Sequence, residues 1–446
     1  MKNKLILFFS LLISISAVSQ ENKQQFSLEE AISFALENNR TAKNANRDID
    51  AAKQQKWETT ASGLPQISAG VDYQNSIKQQ LQVAEASAFG GPEGEYVALA
   101  LGLKQSLLGS TTLSQLLFDG SYIVGLQSAK VYLEISKNAK LKTDLEVKKA
   151  VVNAYGNVLL TEESVNILER NKATLQKNLD ETTKIYENGL EEEESVEQLK
   201  ITLSSINSTL NNSIRLKKVA YQMLNITLGI DIDNTTVLTD NLETLTAKNI
   251  DLAYANNPFS VENTLDYKIA ENDKTSKELL LKLEKYKKLP TLSGFMTAGY
   301  SAYSPEFTFF ESTQKYYGYA VFGAKLSIPI FTSGSTNSKI QRAAINLEKA
   351  EDDLTETEQQ LKLQIASAKS DYLYAIEEYS NKKENLNLAE RIDKKNQTKF
   401  FEGIASSFEL RQAQIQLYTA QQEFLQAMLD VINNKVALET ITNQEL

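Results

Sequence analysis

Carboxylates are the reactive side chains that this sequence offers in quantity. Fifty-seven Asp and Glu stand against 47 Lys and Arg, and the 446 residues include no histidine and no cysteine. A Ser-His-Asp triad, a thiolate nucleophile, a disulfide and a zinc site of the usual nitrogen-and-sulfur type are thereby excluded. Four Met, one of them the initiator, leave little for a thioether copper site. Paired carboxylates could hydrolyse a glycosidic bond, but the acids here fall on helical faces without a pocket signature, so no enzyme is expected. The net charge of −10 argues against a nucleic-acid partner, which would want a basic face. The densest acidic run is Glu191-Glu192-Glu193-Glu194, just after Gly189. As a solvated helix start it would complement the helix dipole. Repeated around an axis it would form a carboxylate ring, which selects cations in pores. The run alone does not choose between these readings.

Those residues need elements to hold them, and the composition points to long helices. Six prolines and one tryptophan stand among abundant Gln, Asn, Glu, Lys, Leu and Ala. Residues 1–19 read as a secretory signal: Lys2 and Lys4, an apolar run Leu5–Val18, then Ala17-Val18-Ser19 with small residues at cleavage spacing. The run is short of the roughly 20 apolar residues of a spanning helix. Without Lys2 and Lys4, 45 basic residues face 57 acidic ones, a charge of −12.

Three landmarks recur in order, which predicts an internal duplication. Leu64-Pro65-Gln66-Ile67 returns as Leu289-Pro290-Thr291-Leu292, and Leu117-Phe118-Asp119-Gly120 as Ile330-Phe331-Thr332-Ser333-Gly334. Tyr186-Glu187-Asn188-Gly189-Leu190 returns as Phe400-Phe401-Glu402-Gly403-Ile404. Phe118 and Gly189 are 71 residues apart, Phe331 and Gly403 72. The expected division is a first repeat over 20–230, a linker over 231–260 rich in Asp, Asn and Thr, and a second repeat over 261–446. Each repeat reads as helix, two strands around a loop, very long helix, Gly turn and second long helix. In Lys339–Phe400, Ile340, Leu347, Leu354, Leu361, Ala368 and Ala375 keep heptad spacing with no Pro or Gly between them. At 1.5 Å per residue that is a helix of about 90 Å. Gly189 and Gly403 stand where such helices must reverse, a position that suits a left-handed cap.

The strands alternate. Ile67, Ala69, Val71 and Tyr73 oppose Gln66, Ser68, Gly70, Asp72 and Gln74; Ala320, Phe322, Ala324, Leu326 and Ile328 oppose Val321, Gly323, Lys325 and Ser327. About ten such residues can cross a membrane in a β-barrel, though a soluble sandwich gives the same alternation. Tyr300, Tyr303, Tyr316, Tyr317 and Tyr319 would fit an aromatic girdle. Four strands cannot close a barrel, since the smallest have about eight, so membrane insertion would demand oligomerisation.

This organisation resembles the TolC-like outer-membrane efflux proteins over essentially the whole chain after residue 19. The motifs are Leu64–Tyr73, Ser114–Gly120, Leu326–Gly334 and Phe400–Gly403. The resemblance implies a membrane α+β fold: a homotrimer whose four strands per chain close a 12-stranded β-barrel in the outer membrane, continuous with a coiled-coil tunnel in the periplasm. It implies a passive exit duct for efflux or type I secretion, partnered by a periplasmic adaptor, an inner-membrane transporter and outer-membrane lipid, without cofactor or resident metal. The competing expectation is an exported structural coiled coil, which would have no use for lipid-facing strands between its helices. By resemblance, Gly189 and Gly403 cap the adaptor-facing tip. The family's two aperture aspartates fall on Glu409 and Gln412, its gate-locking arginine on Ala405 and the partner tyrosine on Phe400, which lacks the hydroxyl. A first-repeat aspartate falls on Ser195, beside Glu191–Glu194. An acidic gate is expected, with a lock that departs from the family's pattern.

Overall fold

The computed structural model describes residues 24–100 and 102–443; the expected signal segment lies outside the described residues. In chain order the strands are β1 (Gln24–Phe26), β2 (Gln66–Asn75), β3 (Leu81–Glu85), β4 (Tyr96–Ala100), β5 (Gln105–Phe118), β6 (Thr236–Leu238), β7 (Thr291–Ser304) and β8 (Tyr317–Ser327). The helices are α1 (Leu28–Asn38), α2 (Arg40–Ala61), α3 (Gly120–Glu187), α4 (Glu193–Leu228), α5 (Leu242–Lys248), α6 (Leu252–Asn256), α7 (Leu265–Tyr286), α8 (Ser335–Phe401) and α9 (Ser407–Thr442). The same succession occurs twice. A helix leads to two long strands, then to a helix of 68 or 67 residues, a glycine turn and a helix of 36. No proline interrupts either very long helix, so each residue can donate to the carbonyl four back without a break.

The chain divides into two compact units. One, Asp50–Ile135 with Asn272–Asp353, is built on an antiparallel sheet of order β2-β5-β7-β8. Its register turns sequence alternation into two faces, because directly opposed residues share a side. One cross-strand row is Ile67, Leu113, Met296 and Phe322; the next is Ala69, Thr111, Ala298 and Ala320. The opposite side carries Ser68, Thr112, Thr297 and Val321, with Thr112 and Thr297 sharing a hydroxyl hydrogen bond of 2.9 Å. Thus the alternating residues 67–73 and 320–326, from the two halves of the chain, lie on one face. The longer first loop contains a separate hairpin, β3 with β4, outside the four-stranded sheet.

The other unit comprises, among the described residues, 24–49, Ser136–Glu271 and 354–443. Its core joins Phe26, Ala31 and Ala35 to Val151, Tyr155 and Val158 of α3, Leu224 and Leu228 of α4, and Leu425, Met428 and Ile432 of α9. Each such fully buried aliphatic side chain contributes about 1.5–3 kcal/mol. The Asp-, Asn- and Thr-rich stretch at 231–260 is ordered against this core. Its β6 pairs in parallel with β1, and Asn241 and Asp251 cap α5 and α6 through their side chains. Leu242 and Leu245 enter the core, while the buried Tyr155 hydroxyl donates to Phe26 O and Asp240 at 3.0 and 2.9 Å. Periodicity is absent there because caps and short turns, rather than a long amphipathic face, carry the local structure.

Candidate functional site

The two helix reversals are built alike. Gly189 and Gly403 take left-handed backbones, at φ +76° and +74°. Gly189 N donates to Tyr186 O (2.8 Å) and Leu190 N to Ile185 O (3.1 Å); Gly403 N donates to Phe400 O (3.0 Å) and Ile404 N to Lys399 O (2.8 Å). This is the paired bonding of a Schellman cap, which satisfies the last helical carbonyls. An added Cβ would meet nothing within 4 Å at either glycine, so backbone conformation, not space, calls for glycine.

Beyond the turns the two reversals differ. Glu191 and Glu192 lie before α4, with Glu193 and Glu194 in its first turn. Ser195, 4% exposed, donates its hydroxyl to Glu191 at 2.6 Å, and Gln198 donates to Glu194 at 2.7 Å. At α9 a complete capping box closes the start. Ser406 N and Oγ donate to Glu409 Oε2 at 2.9 and 3.1 Å, and Glu409 N donates back to Ser406 Oγ at 3.3 Å. The bond from the Ser406 backbone, then that from its hydroxyl, holds the Glu409 carboxyl below its ordinary pKa. Glu409 is thus a helix cap as well as an exposed charge, a role that the Ser-x-x-Glu spacing makes readable from sequence.

The structure brings some expected site residues together and leaves others apart. Ser195 and the buried Phe400 line one small cleft with Leu199, Ser407 and Leu410. Ala405 is half-buried, its N–H donating to Lys399 O at 3.1 Å, and Gln412 is exposed. Among the described residues, no hydrogen bond or ion pair joins Glu191–Glu194 to Glu409 or Gln412. Sequence reading missed Asp393, which is 7% exposed on α8, and Gln414, 1% exposed on α9.

The sheet offers a second functional surface. Ile67, Val71, Met296 and Phe322 are 71%, 73%, 53% and 88% exposed on one side of it. At the loop end, Tyr73 meets the rings of Phe307 and Phe309 edge-on at 5.6 and 5.9 Å, and Tyr300, Tyr303, Tyr316 and Tyr317 are exposed. A continuous exposed apolar face of this kind is what a bilayer covers, with aromatic rings at its border. Among the described residues, no helix is long and apolar enough to cross a membrane.

Comparison with known proteins defines the class first. The chain has the fold of solved outer-membrane channel proteins. It matches CusC at a TM-score of 0.73 and 18% identity, covering 93% of this chain and 91% of that one. It matches VceC of Vibrio cholerae at 0.71 and 15%, covering 93% and 95%. It matches the Campylobacter jejuni CmeC outer membrane channel at 0.71 and 18%, covering 93% and 85%. No curated protein gave a match. Residues 281–444 match the family model described as outer membrane efflux protein. That C-terminal stretch is thus similar to outer membrane efflux proteins, while the solved channels share the fold over 93% of the chain.

Proposed function

We propose that this protein is the exit duct of a tripartite efflux or type I secretion system. Three copies close a 12-stranded barrel in the outer membrane, and the helices form a tunnel in the periplasm. The duct is passive: an inner-membrane transporter supplies the energy, and a periplasmic adaptor docks at the tip that carries Gly189 and Gly403. Its two halves derive from one duplicated unit. The aperture at that tip is lined by Glu191–Glu194, Ser195, Phe400, Ala405, Glu409 and Gln412.

The observation that carries this reading is the open four-stranded sheet with an exposed apolar face. Its outer strands, β2 and β8, each have one unpaired edge. Hydrocarbon cannot satisfy those backbone groups, so a membrane-inserted sheet must close on further copies, and three supply twelve strands. The test is the species extracted from outer membranes. Heat-resistant trimers that dissociate to monomers only with loss of β-structure are expected. A folded monomer with full β content in detergent overturns the proposal.

A further inference from the structure

We propose that Asp393 is a proton-binding site, and that its protonation tightens the α8–α9 hairpin against α3. The argument starts from a polar seam near the end of the helical unit. Asn171 of α3 donates to Gln421 of α9 at 2.8 Å, which fixes how these antiparallel helices face each other. One heptad further toward the tip on both helices come Asn178 and Gln414, 3% and 1% exposed. Phe400 of α8 and Ser407 of α9 line one cleft, and one heptad back from that level lie Asp393 and the same Gln414. An amide of α3, an amide of α9 and a carboxyl of α8 are therefore brought to one buried level.

Their hydrogen bonding is incomplete. Asn178 Nδ2, both polar atoms of Gln414, Thr182 Oγ1 and Asp393 Oδ1 are buried without a partner. Gln397 donates to Asp393 Oδ2 at 2.7 Å, leaving the other carboxyl oxygen unserved. Elsewhere in this unit α3 and α4 are held by Val165, Leu168, Leu175, Leu199, Ile206 and Leu210, an apolar seam that no proton can alter. A buried carboxylate with one orphan oxygen is costly; as a carboxylic acid it becomes a donor that an amide carbonyl can accept. Burial raises the Asp393 pKa to about 6, against the lowering effect of the Gln397 bond.

Among the described residues, no cation pairs with Asp393 to supply the missing countercharge. From α9, Tyr418 faces Asp393, and its own pKa is raised by burial and then by the Asp393 charge, so it stays neutral. Arg411 of α9 lies over the Phe408 ring at 5.4 Å. On α3, Lys177 pairs with Glu181 at 3.9 Å; on α4, Glu194 is bonded to Gln198. On α8 itself Glu390, Arg391, Lys394 and Lys395 are exposed. The sign follows from a folded pKa above the unfolded one. The packed seam is most stable below the unfolded value near 4, and it loses stability as pH rises toward and through 6.

Hydrogen exchange of the full chain tests this directly. Exchange over 390–420 is compared between wild type and Asp393→Asn at equal pH, which cancels the intrinsic pH dependence of the chemistry. The ratio of wild-type to variant exchange should rise about tenfold between pH 5 and pH 7.5, because about one unit of the two-unit pKa shift is already spent at pH 5. A ratio that does not change with pH overturns the proposal. If the variant fails to fold, wild-type exchange over 390–420 is measured relative to 199–210, in the apolar seam. That ratio must rise between pH 5 and 7.5, and a flat ratio is equally fatal.

Discussion

At the start of α9 the Glu409 carboxylate accepts from the Ser406 backbone and hydroxyl while its own N–H is accepted by that hydroxyl. Substitution can separate the cap from the charge. Glutamine also serves at the third helical position of a capping box, whereas alanine cannot replace the serine. Ser406→Ala should therefore cost about 1 kcal/mol, read as a lowered unfolding midpoint with faster amide exchange in the first turn of α9. Glu409→Gln should change both less than Ser406→Ala does at neutral pH, since it keeps the capping-box bond and loses only the added strength of a charged acceptor. Because its pKa is lowered, the ionised form's contribution to the cap persists above the ordinary carboxylate range and is lost as pH falls below it. Equal effects from the two substitutions would mean that the charge, not the cap, holds the turn. This box was written in the sequence as Ser406-Ser407-Phe408-Glu409. Asp393 was not legible in the same way. An aspartate on a helix rich in Lys and Glu reads as solvated until the pairing of α8 with α9 turns it inward.

Helices and strands differ in how much of their partnership the sequence reveals. Heptad apolar spacing marks α8 because every seam residue meets a helical neighbour, and the very long helix spans 335–401 where periodicity suggested 339–400. Alternation marks β2 and β8, but strand order and register belong to contacts between distant residues. Only the register shows that Ile67 and Phe322 stand in one row. The stretch 231–260 hid its order because Asn241 and Asp251 act through caps, and β6 is only three residues long. The face assignment leads to a comparison at the level of the sheet. Val71→Arg or Phe322→Arg places a charge on the exposed apolar side and should cost about 2–4 kcal/mol near a bilayer midplane. Ser327→Arg, on the side of Lys325, should be tolerated far better. Folding yield in liposomes of defined thickness separates them; greater loss from Ser327→Arg would show that the faces are reversed, and equal loss from both classes that the face assignment is wrong.

For the whole molecule the decisive quantity is what repetition does to charge. One chain holds Glu191 against Ser195 and Glu194 against Gln198, and no cation pairs with any of the four glutamates among the described residues. In the proposed trimer each carboxylate would occur three times near one mouth. Charges facing a common constriction repel more strongly than on open surface, where salt screens over about 8–10 Å, because low-dielectric walls leave less room for screening ions. Such a ring lowers the energy of entering cations and raises that of anions. It also offers hard oxygen ligands to multivalent ions. Replacing Glu191–Glu194 together by Gln keeps size and polarity but removes the field. The expected result in planar bilayers is reduced cation-over-anion selectivity and weaker block by a trivalent cation added on the side of the helix tips. If the run is only a helix start, the same variant loses a few tenths of a kcal/mol per residue from the dipole interaction and conducts as before. Unfolding curves measured on the same samples keep the two apart, since a stability change without a selectivity change assigns the glutamates to the helix and not to the pore.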